Sequence, residues 1–228
     1  KLKLMFPKFL PTGVEQLTEP ASIALARTVE QISLITPLSK QPINTTYVHQ
    51  GSDGTPFLLL HGFDSSVLEY RRLLPLLAVQ NETWTVDLLG FGFTDRLSGI
   101  NFSPNDIRTH LYLFWETLIS KPVIVVGASM GGAVAIDFTL SYPEIVEKLI
   151  LIDSAGLTGG SPASKLIFQP LDYLATECLK NRKIRQSISR TAYKNKQLAT
   201  QRASFCGAMH LEISNWNRAV IAFTKKRG

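Results

Sequence analysis

The chain has 228 residues, 45% hydrophobic and 18% charged, which fits one folded domain with a sizeable core and excludes a disordered chain. Its two cysteines, Cys178 and Cys206, have neither a metal-ligand spacing nor a disulfide framework, and they suit a reducing compartment. The net charge of +6 is uneven: residues 157–228 hold thirteen Lys and Arg against three acids, a local +10 that leaves −4 on the remainder.

Residues 1–42 mix apolar and basic side chains around Pro7 and Pro11. They are expected to strap across the body, with a short helix over 23–34. The first residues lack the long apolar region of a signal peptide, and no run approaches the roughly 18 apolar residues of a membrane span. Residues 43–49 alternate as a strand does, and Gly51-Ser52-Asp53-Gly54 is a turn signal. Phe57-Leu58-Leu59-Leu60 is a continuous apolar run, as expected of a parallel strand covered on both faces. It leads directly into His61-Gly62-Phe63-Asp64-Ser65-Ser66.

The pattern predicts a helix over 67–77 and a strand over 83–87. A glycine-rich loop follows, Asp87-Leu88-Leu89-Gly90-Phe91-Gly92-Phe93-Thr94-Asp95, in which Asp87 and Asp95 are expected to hydrogen-bond the loop rather than catalyse. Ser103-Pro104-Asn105-Asp106 supplies an N-cap, a proline at the first helical position and an acid in the first turn, so a helix should run from there to 119.

Residues 123–126 form a short β-branched run, suited to a central parallel strand. Gly127-Ala128-Ser129-Met130-Gly131 then fits the G-x-S-x-G pattern of a nucleophile on a sharp strand-to-helix turn. The chemistry explains the spacing. Small residues two before and two after the serine let strand and helix approach, and the helix aims its free N–H groups at the reaction centre. On this motif the sequence resembles the α/β-hydrolase superfamily. The resemblance implies an α/β fold with a mostly parallel, doubly wound sheet. It also implies that Ser129 is the nucleophile, with the backbone N–H groups of Phe63 and Met130 as oxyanion donors. His61 and Gly62 would form the loop beside the substrate, His61 in a shaping rather than a basic role.

Residues 148–153 are the next strand, and alternation of strands with helices predicts a parallel sheet with right-handed crossovers. These elements delimit a core over 43–156. After the break at Gly159-Gly160-Ser161-Pro162 the pattern turns helical, with Ile167, Leu171, Leu174 and Cys178 at helical spacing. Residues 157–228 sit where the superfamily inserts a lid. Phe168, Leu171 and Trp216 are expected among the residues lining an apolar pocket, although packing is the commoner role for any one of them. The basic charge of this segment suits contact with an anionic membrane surface; solvated helix faces are the ordinary alternative. No helix-turn-helix, zinc-finger or aromatic RNA-binding motif is present, so nucleic acid is not an expected partner. No motif implies a metal or another cofactor.

A closer resemblance, to chlorophyll dephytylases, rests on His61 to Arg71, on Thr83 to Asp95 with Trp84, on Phe114-Trp115, and on the stretch around Trp216. It implies hydrolysis of an ester with a long apolar group, in a plastid stroma or cytoplasm and peripheral to a membrane. The fold's order places an acid and then a histidine after the serine. Asp153 ends the strand beside the nucleophile strand and is the best local candidate for the acid. His210 is the one histidine after Ser129. By the family pattern the sequence stops before the last strands, the acid and the histidine, so a non-catalytic binding protein on a shortened hydrolase fold is the alternative.

Overall fold

The computed structural model describes residues 6–157, 176 and 178–225. A 3-10 turn, Thr12–Gln16, leads to helix α1, Pro20–Arg27, and strand β1, Glu30–Leu34. The helix expected over 23–34 is thus corrected to a helix followed by a strand. Gln31-Ile32-Ser33-Leu34 alternates polar and apolar side chains, the period of a strand. It finds an antiparallel partner in β2, Ile43–Gln50, with Ile32 opposite Thr45 and Leu34 opposite Ile43.

Strand β3 is Phe57–Leu60. The helix expected over 67–77 is instead a 3-10 turn, Val67–Tyr70, and one separate turn, α2, Leu74–Leu77. Pro75 is the reason: it has no N–H, and its ring collides with the carbonyl four residues back in a longer helix. Strand β4, Thr83–Val86, follows, then helix α3, Pro104–Leu118. The start of α3 is a reciprocal cap. Ser103 Oγ accepts from the Asp106 N–H and the Asp106 carboxylate accepts from the Ser103 N–H, both at 3.2 Å. Losing such a cap costs about 1 kcal/mol.

Strand β5, Val123–Ala128, helix α4, Met130–Ser141, and strand β6, Val146–Ile152, complete the sheet. The strand order is β1-β2-β4-β3-β5-β6. β4, β3, β5 and β6 are parallel neighbours, while β1 and β2 form an antiparallel margin. This is the mostly parallel α/β sheet expected. Consecutive strand residues face opposite sides, and the core divides accordingly. Leu58, Leu60, Val123 and Val125 join one apolar layer with Phe91, Phe114 and Phe138. Leu59 and Val126 join the other, with Leu10, Val14, Val67 and Leu68.

Helices α5, Arg182–Ala192, α6, Gln201–Gly207, and α7, Trp216–Lys225, cover one end of this body. Cys206 and Met209 enter the second layer, and Ala219 and Phe223 enter the first. Among the described residues, no helix is long and apolar enough to cross a membrane.

Candidate active site

Ser129 stands between β5 and α4 with φ 50° and ψ −116°. A non-glycine residue in that region carries strain of about 1–3 kcal/mol, and it persists only where the surroundings impose it. Here they do. The Ser129 N–H donates to the Ile152 carbonyl at 3.0 Å, and the Ser129 carbonyl accepts from Gly132 at 3.0 Å and Ala155 at 2.9 Å. The end of β6 and the first turn of α4 therefore grip the bend from both sides. Its side chain is exposed.

The flanking glycines are steric requirements. A Cβ on Gly127 would overlap the Gly131 backbone, a Cβ on Gly131 would overlap the Leu60 carbonyl, and a Cβ on Gly132 would overlap Ser154. This is the close strand–helix approach that the G-x-S-x-G spacing implies.

The loop after β3 lies beside the serine. A Cβ on Gly62 would stand 3.6 Å from Ser129 Cβ. Among the described residues, no hydrogen bond occupies the backbone N–H of Phe63 or of Met130. Met130 is buried and Phe63 is partly exposed, its ring 5.8 Å from both Phe91 and Phe223. Free, rigid N–H groups beside a hydroxyl are what a developing oxyanion requires, and one such donor contributes about 3 kcal/mol.

His61 is fully buried and ties this loop to the one after β4 through its two ring nitrogens. Nδ1–H donates to the Gly62 carbonyl at 2.8 Å, and the Leu88 N–H donates to Nε2 at 3.1 Å. Burial holds its pKa down to about 4, so the ring is neutral and shapes the loop. Asp87 bonds within the loop after β4 and to the 3-10 turn at Val67, whereas the Asp95 carboxylate ties the loop to β2 instead of bonding within it. Asp87 accepts from Val67 and Phe93 N–H groups, each at 2.6 Å, and Asp95 from the Asn44 N–H at 3.2 Å. Burial pushes the Asp87 pKa up to about 7 in spite of those bonds.

The other three histidines have contacts of their own. His49 stacks on Trp84 at 3.8 Å, His110 bonds Thr45 at 2.8 Å, and His210 bonds Asp64 at 2.8 Å. None hydrogen-bonds Ser129. Asp153 is exposed, has φ 45°, and makes no hydrogen bond or ion pair with a histidine. The structure does not join it to a base. Phe168 and Leu171 lie outside the described residues. Trp216 is buried, and its indole N–H donates to Asp64 rather than facing the serine.

Two carboxylates missed by sequence reasoning brace the loop. Glu69 accepts the Gly62 N–H at 3.1 and 3.2 Å, and burial raises its pKa. Asp64 gathers donors from the helical segment. Between loop and segment lies a cavity of about 530 Å³, lined by Phe63, Leu68, Glu69, Leu179, Ile188 and Tyr193 among others.

The family profile described as the alpha/beta hydrolase fold matches residues 55–217. The chain belongs to this family. Among relatives of the alpha/beta hydrolase, the alpha/beta hydrolase domain-containing protein VTE7 of Arabidopsis thaliana is 34% identical over 227 residues, covering 96% of this chain and 68% of the relative. Lipase 1 of Psychrobacter immobilis is 34% identical over 116 residues, covering 49% of this chain and 35% of the lipase. The alpha/beta hydrolase fold is shared with the Cif epoxide hydrolase from Acinetobacter nosocomialis at a TM-score of 0.73 and 16% identity, over 90% of this chain and 67% of that one. The chain therefore spans two thirds of one relative and about a third of the other.

Proposed function

We propose that this hydrolase cleaves a carboxylic ester bearing a long apolar group, of dephytylase type, through an acyl-enzyme on Ser129. One observation carries the reading: the exposed Ser129 hydroxyl stands on a strained bend beside two N–H donors, on Phe63 and Met130, that have no hydrogen-bond partner among the described residues. Attack by the hydroxyl oxygen on the ester carbonyl forms the acyl–oxygen bond and breaks the ester C–O bond, and the hydroxyl proton leaves on the departing alcohol. The N–H pair stabilises the charge on the carbonyl oxygen, and water then releases the acid. The mostly apolar cavity beside Phe63 supports a long-chain substrate, and the lipase relative is consistent with ester chemistry. The basic surface of α5, with Ile184 and Ile188 exposed, supports contact with an anionic membrane where such esters dissolve.

The test is incubation of the full-length protein with chlorophyll a in detergent micelles and with p-nitrophenyl esters of rising acyl length. Free phytol, and turnover that rises with chain length, are expected. Failure to hydrolyse any of these esters would contradict the reading.

A second reading is favoured by one observation, that none of the four histidines hydrogen-bonds Ser129. On that reading the protein binds a prenyl or pigment ligand without turnover. Saturable binding of chlorophyll with no phytol released distinguishes it.

A further inference from the structure

The loop that carries the Phe63 N–H is anchored on either side of the Gly62–Phe63 peptide. On the sheet side, the Glu69 carboxylate accepts the Gly62 N–H. On the other side, the Asp64 carboxylate is the meeting point of three donors from a segment 121 to 152 residues away. His210 Nε2 and Trp216 Nε1 both reach Oδ1 at 2.8 Å, and Arg185 Nη1 reaches Oδ2 at 2.6 Å. Arg185 Nη2 also approaches the Asp64 backbone carbonyl at 3.4 Å.

This cluster is dry and charged. The side chains of Asp64 and His210 are 8% and 1% exposed. Burial alone would raise the Asp64 pKa, but the His210 hydrogen bond and the Arg185 charge overcome it and hold it down to about 2. The carboxylate is therefore ionised and purely an acceptor, so each contact runs from the segment to the loop. Asp64 also has φ 52°, a left-handed conformation that aspartate adopts more readily than most side chains. The donor peptide between Gly62 and Phe63 sits between the two anchors.

We propose that Asp64 is a positioning residue that sets the oxyanion donor of Phe63 by transmitting the docking of the 185–216 segment to the loop. The active-site geometry is then complete only with that segment seated: His210, Trp216 and Arg185 act on the reaction through Asp64 and touch no reacting atom. A carboxylate that only fastened the segment would affect stability and substrate access. One that aims the donor affects the chemical step, because a displacement of about 1 Å in a positioned group can cost a factor of about 100.

The proposal rests on the reading of Ser129 and Phe63 as nucleophile and donor, and the experiment separates the two. Turnover of p-nitrophenyl octanoate by the full-length protein is measured for wild type, Ser129→Ala, Asp64→Asn, Trp216→Phe and the double variant of the last two. Asp64→Asn is expected to lower kcat by about 10- to 100-fold with KM within about threefold, the pattern of a lost transition-state contact. Trp216→Phe removes one donor, keeps an aromatic ring, and lowers kcat by less. The double variant should be no slower than Asp64→Asn alone, because both changes act through one contact. Should Asp64→Asn fail to fold, Trp216→Phe decides, with the same division between kcat and KM.

Unchanged kcat with only a lowered unfolding midpoint, or an effect confined to KM, overturns the positioning role while leaving the nucleophile intact. Turnover that survives Ser129→Ala overturns the underlying reading, and the positioning role falls with it.

Discussion

Gly131 lies against Leu60 so closely that a Cβ on the glycine would stand 2.1 Å from the Leu60 carbonyl oxygen. The first turn of α4 and the end of β3 are in backbone contact there, and neither has a flexible side chain that could yield. Gly131→Ala should therefore open the elbow, at a cost of about 3 kcal/mol from overpacking. Urea denaturation checks the stability, and the same variant should lose most turnover because the Met130 N–H moves with α4. A midpoint equal to wild type would show that the approach is looser than described.

His61 and His110 are fully buried, and burial holds both pKa values down from 6.5 to about 4. The sign follows from linkage. The unfolded chain takes up protons below 6.5 and the folded chain does not until about 4. Stability is present above 6.5 and falls as pH drops toward 4, by up to about 1.4 kcal/mol per pH unit for each histidine. Asp87 works in the opposite direction, since its pKa is raised from 3.8 to about 7 and its contribution fades as pH rises through that window. Comparison with His110→Gln isolates one histidine. The variant's urea midpoint should fall less steeply than wild type between pH 6.5 and 4. Equal slopes would mean that the His110 ring is protonated in the folded protein.

Strand β6 is the margin of the sheet among the described residues, and its Ile150 and Ile152 side chains are 42% and 40% exposed. An apolar edge with unpaired backbone groups pairs readily with another strand, and a lysine on it prevents that. Residues 1–228 expressed alone should self-associate, and Ile150→Lys should shift them toward monomer in sedimentation velocity. An unchanged distribution would show that the edge is not the contact.

What the sequence reveals and what it hides follow from distance along the chain. The elbow is legible because its requirement is local: Gly127 and Gly131 flank Ser129 within five residues, and steric overlap explains both. The strand at 57–60 is legible because four consecutive apolar residues must be covered on two faces. The 23–34 stretch reads as one helix because short apolar runs suit either period, and pairing with β2 decides its second half. Pro75 divided the helix expected over 67–77. Asp64 stands within the His61 to Arg71 stretch that carries the resemblance, yet nothing local in the sequence marks its role. Its donors at 185, 210 and 216 become neighbours only when the helical segment folds back over the loop. Trp216, expected to line an apolar pocket, is buried with its indole N–H on Asp64.

The most direct test is reaction of the full-length protein with a fluorophosphonate probe, followed by mass mapping of the labelled peptide. The account predicts one phosphonylated residue, Ser129, and no labelling of Ser129→Ala. Labelling that persists in that variant, or that maps to another serine, would contradict it.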